Sequence, residues 1–349
     1  MASENKKAES LCKNMSGLCG ASCAFLSLEP DIKLSCVGED WLCSRYCGCD
    51  YCNTLHYGCS EAYRWNGKYV FYCPKGLVFI AASVADEQGS LSGGMVLGPT
   101  VIGAIASDEE EAKALKVPEI GAGRTGLYIK AIEKAAQLIT DRPVLAGIIG
   151  PFSLTGRLID VNEAMIKCYE EPEMVHTVLE KATQFLIEYA KAYKSAGANG
   201  IVIAEPLAGL LSPDLTEEFS EPYVKRIVDA VQDDEFAVVY HNCGDCTIRQ
   251  IDSILRTGAL AYHFGNSIDM SEMMKHIPSD VLAMGNVDPA AQFRNGTPES
   301  IKAETKRIMG ECCRYPNFVI SSGCDIPPMS PWENIDAFFE AAAEFYGDK

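Results

Sequence analysis

Three residues with soft donor atoms stand at the ends of two separate apolar runs of the chain. His241 and Cys243 are two positions apart after the run 236–240, and Cys324 follows a much later run, 317–321. Because alternate strand residues point to the same side, His241 and Cys243 can reach one point. One imidazole and two thiolates suit Zn²⁺, and three protein ligands with an open position are typical of catalytic zinc. The residues alone leave open a second interpretation, a buried histidine beside two unreactive thiols.

Polar residues of other types follow further apolar runs. We predict catalytic roles for Glu205, Asn286 and Asp288. We predict that Asn266 and Asp325 contact a bound cofactor. Glu205 is a candidate for a fourth metal ligand or for a base beside the ligands. Alternatively, its carboxylate only pairs with a helix. Asn286 and Asp288 would orient His241 or line the pocket.

Short apolar segments alternate with longer amphipathic ones from about residue 117 onward. Strands are predicted at 144–149, 200–204, 236–240, 259–264, 281–285 and 317–321. Helices are predicted at 125–138, 172–195, 216–232, 247–257, 298–312 and 331–345, with a shorter one at 107–115 beginning at an N-cap serine. This alternation indicates parallel strands with crossover helices, which fits an open doubly wound sheet or a closed barrel. In a barrel all the polar strand ends would meet on one face, where barrel enzymes hold their chemistry.

Composition and charge narrow the class of protein. The 349 residues carry a formal net charge of -18, which disfavours binding to nucleic acid or to anionic membranes. The polar start has no secretory signal, and no stretch reaches the roughly 20 apolar residues of a membrane span, so we expect a cytoplasmic protein. Its 16 cysteines are then thiols, metal ligands or redox groups.

Several motifs in register resemble one family. The segments are HNCG at 241–244, GNVDP at 285–289, SGCDIPP at 322–328 followed by ENID, GPFSL at 150–154 and AEPLAGLLSP at 204–213. They look like the methylcobamide methyltransferase branch of the uroporphyrinogen decarboxylase-like superfamily, over a domain that we place at 98–349.

That resemblance implies a (β/α)8-type TIM barrel and a zinc ion held by His241, Cys243 and Cys324. It also implies that the zinc binds a thiol substrate such as coenzyme M, which exchanges a methyl group with a corrinoid (cobalamin) carried by a partner protein. Two other functions stay open: uroporphyrinogen decarboxylase itself, and a ligand-binding regulatory protein whose barrel has lost activity. An Arg-rich N-terminal segment, expected for the decarboxylase, is absent from the sequence.

The N-terminal part departs from the family. Six predicted strands are two short of a closed barrel, and the first βα units are missing. In their place the chain has a tail at 1–10, which we predict to be disordered, and a Cys-rich segment at 11–97. Within that segment, residues 58–84 resemble the PocR sensory domain. Its cysteines raise the alternatives of a second metal, an Fe–S cluster or a plain thiol-rich surface. Either this segment or a second copy in a homodimer is expected to cover the open sheet.

Overall fold

A computed structural model describes residues 104–327 and 330–347, together with the backbone of three short strands at 64–65, 68–71 and 78–81. The predicted tail, the remainder of the Cys-rich segment, its PocR resemblance and its proposed metal site lie outside the described residues. The domain boundary near residue 98 lies there as well.

In the described part of the chain, one sheet contains all the strands, in chain order. They are β1 (Arg64–Trp65), β2 (Lys68–Phe71), β3 (Val78–Ala81), β4 (Val144–Ile149), β5 (Gly200–Ala204), β6 (Ala237–Asn242), β7 (Ala261–Phe264), β8 (Leu282–Val287) and β9 (Phe318–Ser322). The first three pair antiparallel, and every pair from β3 to β9 is parallel. The six strands predicted after residue 117 match β4–β9 to within two residues at either end. Their nearly continuous burial explains why they are apolar runs rather than alternating ones.

In the described part of the chain, the helices lie between these strands in sequence, and one follows β9. They are α1 (Glu109–Ala114), α2 (Thr125–Leu138), α3 (Pro151–Ile159), α4 (Val161–Glu170), α5 (Pro172–Ser195), α6 (Pro213–Phe219), α7 (Glu221–Val231), α8 (Ile251–Arg256), α9 (Met270–Met273), α10 (Pro298–Cys312) and α11 (Trp332–Gly347). The chain also forms 3-10 turns at Ala208–Leu210 and Thr247–Gln250 and a π-helical turn at Pro289–Arg294.

Local chemistry explains where the helices differ from expectation. The single helix predicted at 216–232 is two helices, because Pro222 cannot continue the hydrogen bonding of α6 and instead sits in the first turn of α7. The acidic helix α1 is capped by Asp108, whose side chain accepts from the Glu111 N–H, so the prediction of Ser107 as N-cap was wrong. Helices α3 and α4 were not predicted, although Pro151 is a typical first-turn residue.

The strand order decides between the two architectures that the sequence left open. Parallel neighbours follow one another without reversal from β3 to β9. With right-handed crossovers, such an order places every connecting helix on the same face of the sheet. A doubly wound sheet is therefore excluded, because its order reverses at a switch point. The two ends of the sheet are not paired with each other among the described residues, so the incomplete barrel predicted from the family resemblance is not seen to close in that part of the chain.

The two faces of the sheet differ in what covers them. Val238 and Tyr240 of β6 belong to the buried apolar core beneath the helices. Their neighbours Ala237 and Val239 point the other way and border a cavity of about 520 Å³ at the amino ends of the strands. His241 continues this second row, so it belongs to the face without helices, at the opposite end. Within the described segments, no helix has the length and apolar character needed to cross a bilayer.

Candidate metal centre

His241, Cys243 and Cys324 come together at the carboxyl ends of β6 and β9. His241 is the penultimate residue of β6, Cys243 follows that strand directly, and Cys324 comes two residues after β9. One ligand atom from each lies within 4.8 Å of the other two, and all three residues are partly exposed. The structure therefore brings the three sequence-predicted residues together.

The spacing of these atoms fits a tetrahedral zinc ion. The Cys324 Sγ and His241 Nε2 are 3.4 Å apart. A nitrogen and a sulfur bound to one tetrahedral zinc at roughly 2.0 and 2.3 Å would be about 3.5 Å apart. An imidazole with two thiols is also the donor chemistry that zinc favours. The donor set and its spacing thus suit zinc.

The pKa values of the Cys243 and Cys324 thiols are shifted in opposite directions. A hydrogen bond from the Cys324 thiol lowers the pKa of Cys243 well below its ordinary value; burial opposes the shift, and His241 adds to it. The pKa of Cys324 is raised, first by that same hydrogen bond and then by burial. A cation that binds both sulfurs would displace the protons that they hold.

His263 is the residue near this centre whose role the sequence analysis missed. It lies on β7 opposite His241 in the parallel register, and only 2% of its surface is exposed. Its Nδ1 is 2.6 Å from the His241 Nδ1, and its Nε2 is 2.8 Å from both the Ser321 Oγ and the Ser322 carbonyl oxygen. A signal was present: both strands carry a Tyr-His pair just before their ends, Tyr240-His241 and Tyr262-His263.

Glu205 lies at the end of β5 but is not among the facing ligand atoms. Its carboxylate is fully buried and accepts hydrogen bonds from the N–H groups of Phe152 (3.0 Å) and Ser153 (2.6 Å), in the first turn of α3. Burial raises the pKa of Glu205 to about 7, against the lowering effect of the Ser153 and Phe152 hydrogen bonds. A Cβ added at Gly150 would lie 2.3 Å from an oxygen of this carboxylate, so only glycine fits there. The contact is the carboxylate–helix pairing that the sequence left as an alternative.

Asn286 supports the loop after β7. Its amide Nδ2 donates to the carbonyl oxygens of Gly265 (2.8 Å) and Ile268 (2.6 Å). Gly265 in turn packs so closely on Cys243 that an added Cβ would lie 2.3 Å from the Cys243 Cβ. Through this loop, Asn286 holds in place the backbone against which Cys243 rests.

Asn266 and Asp288 contact each other beside this loop. The Asn266 amide donates to the Asp288 carboxylate over 2.9 Å, and the same carboxylate accepts from the N–H groups of Ala290 and Ala291. One Asp288 oxygen is therefore engaged with its own turn and the other with Asn266. Asp325 is exposed and directly follows Cys324.

The remaining described cysteines lie away from the three facing donors. Cys246 accepts a hydrogen bond from Arg249 over 2.9 Å. Cys168 and Cys312 are buried in helices, and burial raises the pKa of each to about 12. They are packing residues with unreactive thiols.

Comparison with known proteins identifies a family and several relatives. The family described as Uroporphyrinogen decarboxylase (URO-D) matches residues 92–345. The Methylcobamide:CoM methyltransferase MtbA of Methanosarcina acetivorans is 28% identical over 260 residues, 74% of this chain and 75% of that protein. The uroporphyrinogen decarboxylase of Alcanivorax borkumensis is 26% identical over 252 residues, 69% and 70% of the two chains. A solved structure described as a methyltransferase from Methanosarcina mazei superposes with a TM-score of 0.64 at 27% identity, covering 72% of this chain and 73% of that one.

Proposed function

The chain belongs to the uroporphyrinogen decarboxylase family, and from this premise we propose that it is a zinc-dependent methyltransferase acting between a methylated corrinoid and a thiol. The observation that carries the proposal is the meeting of the His241, Cys243 and Cys324 donor atoms within 4.8 Å. Relatives named as methylcobamide:CoM methyltransferases support the same reaction class.

The three donors would hold the zinc, and their partial exposure leaves one side of the centre open to a substrate. When bound, zinc supplies the positive charge that keeps a substrate thiol deprotonated at neutral pH. Cys243 and Cys324 contribute two negative charges as thiolates, and His241 contributes none. The protein ligands therefore balance the ion's charge and leave a substrate sulfur electron-rich enough to remain a nucleophile.

The chemistry balances without an added oxidant or reductant. The substrate sulfur donates an electron pair to the methyl carbon, and a carbon–sulfur bond forms as the cobalt–carbon bond breaks. Both electrons of that bond stay on cobalt, which passes from Co(III) to Co(I), and the thiol proton leaves to solvent. The corrinoid is a substrate carried by a partner protein, which would approach the carboxyl ends of the strands, where the three donors are exposed.

We assign Glu205, Asn286 and Asp288 to positioning in this reaction. The Glu205 carboxylate accepts from α3, the Asn286 amide donates to the loop behind Cys243, and Asp288 caps its own turn. Asn266 and Asp325 lie at the exposed rim and remain candidates for contact with the corrinoid or its carrier.

The test combines metal analysis with an activity assay. The purified chain is expected to hold one zinc ion and, under anaerobic conditions, to demethylate free methylcobalamin in the presence of coenzyme M or another small thiol. The readouts are the loss of methylcobalamin absorbance and the formation of the methyl thioether. Tight zinc without methyl transfer to any thiol would contradict the proposal and favour the regulatory alternative.

Decarboxylation of uroporphyrinogen is the second candidate, because relatives named as uroporphyrinogen decarboxylases match the chain at similar identity. The net charge of -18 makes it a poor host for a polycarboxylate substrate. Incubation with uroporphyrinogen and measurement of coproporphyrinogen distinguishes the two. Turnover that persists in Cys324→Ala would support the decarboxylase.

A further inference from the structure

The surroundings of the His263 Nε2 determine whether it carries a proton. The Ser322 carbonyl oxygen, 2.8 Å away, can only accept a hydrogen bond. The Ser321 hydroxyl, also 2.8 Å away, donates its own proton to that same carbonyl over 3.0 Å. Both neighbours therefore present acceptors to the ring, so the His263 Nε2 bears a hydrogen and donates it.

The opposite nitrogen of His263 is then an acceptor. An uncharged imidazole carries one hydrogen, so one of its nitrogens donates and the other accepts. With that proton on Nε2, the His263 Nδ1 offers its lone pair, and the atom facing it at 2.6 Å is the His241 Nδ1. The His241 Nδ1 must therefore donate. A second acceptor, the His263 carbonyl oxygen, lies 3.2 Å from that same nitrogen and requires the same assignment.

This assignment leaves the His241 Nε2 unprotonated. A neutral imidazole with hydrogen on Nδ1 has its lone pair on Nε2, and the His241 Nε2 is the nitrogen that lies 3.4 Å from the Cys324 Sγ. The other tautomer would place an N–H among the metal donors and leave two lone pairs facing each other between the rings.

We propose that His263 is a positioning residue that sets the tautomer of His241, so that the Nε2 lone pair is presented to zinc together with Cys243 and Cys324. The chain of hydrogen bonds runs from the Ser322 carbonyl through His263 to His241. This inference rests on the proposed zinc function. It adds that a second histidine, which binds no metal, prepares the site before the ion arrives.

The consequence is measurable as zinc affinity. Replacing a residue that hydrogen-bonds to a metal-bound histidine typically lowers metal affinity by about 10- to 100-fold. His263→Phe keeps a ring of similar size but offers no acceptor, and should weaken zinc binding by that factor. His263→Asn places an amide oxygen near the position of Nδ1 and should restore affinity to within a few-fold of the original. His276→Asn, on an exposed histidine, is the control and should bind as the unchanged protein does.

The experiment measures zinc dissociation constants of these chains by competition with a chelator. It also records ¹⁵N NMR spectra of the zinc-free, ¹⁵N-histidine-labelled protein, assigned by single histidine substitutions. We expect hydrogen on Nδ1 of His241 and on Nε2 of His263. Hydrogen on the Nε2 of His241, or a His263→Phe chain that binds zinc as tightly as the control, would overturn the proposal. The NMR result on the unchanged protein stands even when a variant does not fold.

These measurements distinguish failure of the His263 proposal from failure of the zinc function on which it rests. If the unchanged protein and Cys324→Ala bind zinc equally poorly, the zinc function itself fails. If the unchanged protein binds zinc tightly, Cys324→Ala does not, and His263→Phe matches the control, only the role of His263 fails.

Discussion

The Cys324 sulfur lies 3.4 Å from the His241 Nε2, although two strands of the sheet separate the elements that carry them. In a flat sheet, the ends of β6 and β9 would be three strand spacings apart, about 14 Å. The contact therefore depends on how these distant strand ends and their side chains are placed in three dimensions, and no local motif creates the candidate metal centre.

Removal of Cys324 should abolish tight zinc binding. In Cys324→Ala one of three donors is lost, and we expect zinc affinity to fall by more than about 100-fold. Even the loss of a residue that only hydrogen-bonds to a ligand typically lowers metal affinity by about 10- to 100-fold. Cys246→Ala is the matched control, because the Cys246 thiol is engaged with Arg249. Zinc content after dialysis against a chelator measures both, and equal retention in the two variants would contradict the ligand assignment.

Addition of a methyl group at Gly265 should disturb the centre without touching a ligand. A Cβ there would lie 2.3 Å from the Cys243 Cβ, so Cys243 must move. We expect Gly265→Ala to weaken zinc binding by about tenfold or more. Gly310→Ala is the control, because a Cβ on that exposed helical glycine meets nothing within 4 Å. The control should keep its zinc affinity and unfold at higher urea, gaining roughly 0.5–1 kcal/mol. Unchanged zinc affinity in Gly265→Ala would show that Cys243 is not fixed by this loop.

Replacement of Glu205 should act on stability more than on zinc. Glu205→Ala leaves the buried N–H groups of Phe152 and Ser153 without their acceptor, at a cost of about 1–3 kcal/mol each. Glu205→Gln keeps an amide oxygen as acceptor and should lose clearly less. Urea unfolding gives the free energies, and zinc analysis of the folded variants provides the second readout. Loss of zinc from a stable Glu205→Gln chain would mean that Glu205 is a ligand after all.

Cys168 and Cys312 should resist alkylation in the folded protein. Burial raises the pKa of both thiols to about 12, so neither forms thiolate at pH 8.5 and each would ionise only as the pH approaches 12. Iodoacetamide labelling at pH 8.5, read by mass spectrometry of peptides, should leave both unmodified in the native chain. In urea their pKa returns to the ordinary range, and both should label rapidly. Fast labelling of native Cys312 would show that α10 is not packed as described.

Much of the scaffold was readable because its signals are local. Each of β4–β9 is a short apolar run between turn residues, and α2, α5 and α10 begin and end where their periodic patterns do. The split between α6 and α7 was missed because the amphipathic pattern continues across Pro222 while the hydrogen bonding cannot. Helix α3 was not predicted because its first residues, within GPFSL at 150–154, directly follow β4 and are also typical of a strand end.

The candidate ligands were also readable from the sequence, since residue type and strand-end position are local properties. His263 was not, because its role depends on lying opposite His241 in a parallel pair, and register between strands is set by packing. The anchoring of Glu205 by α3 likewise depends on contacts with Phe152 and Ser153, which lie more than 50 positions earlier in the chain.

By itself, the amino-acid sequence determined the alternation of strands and helices and the donor types available at the strand ends, because both follow from neighbouring residues. Only the tertiary structure decided that the strands follow one another without reversal and which side chains meet. Those outcomes depend on how distant segments bury their surfaces against one another, and no single segment carries that information.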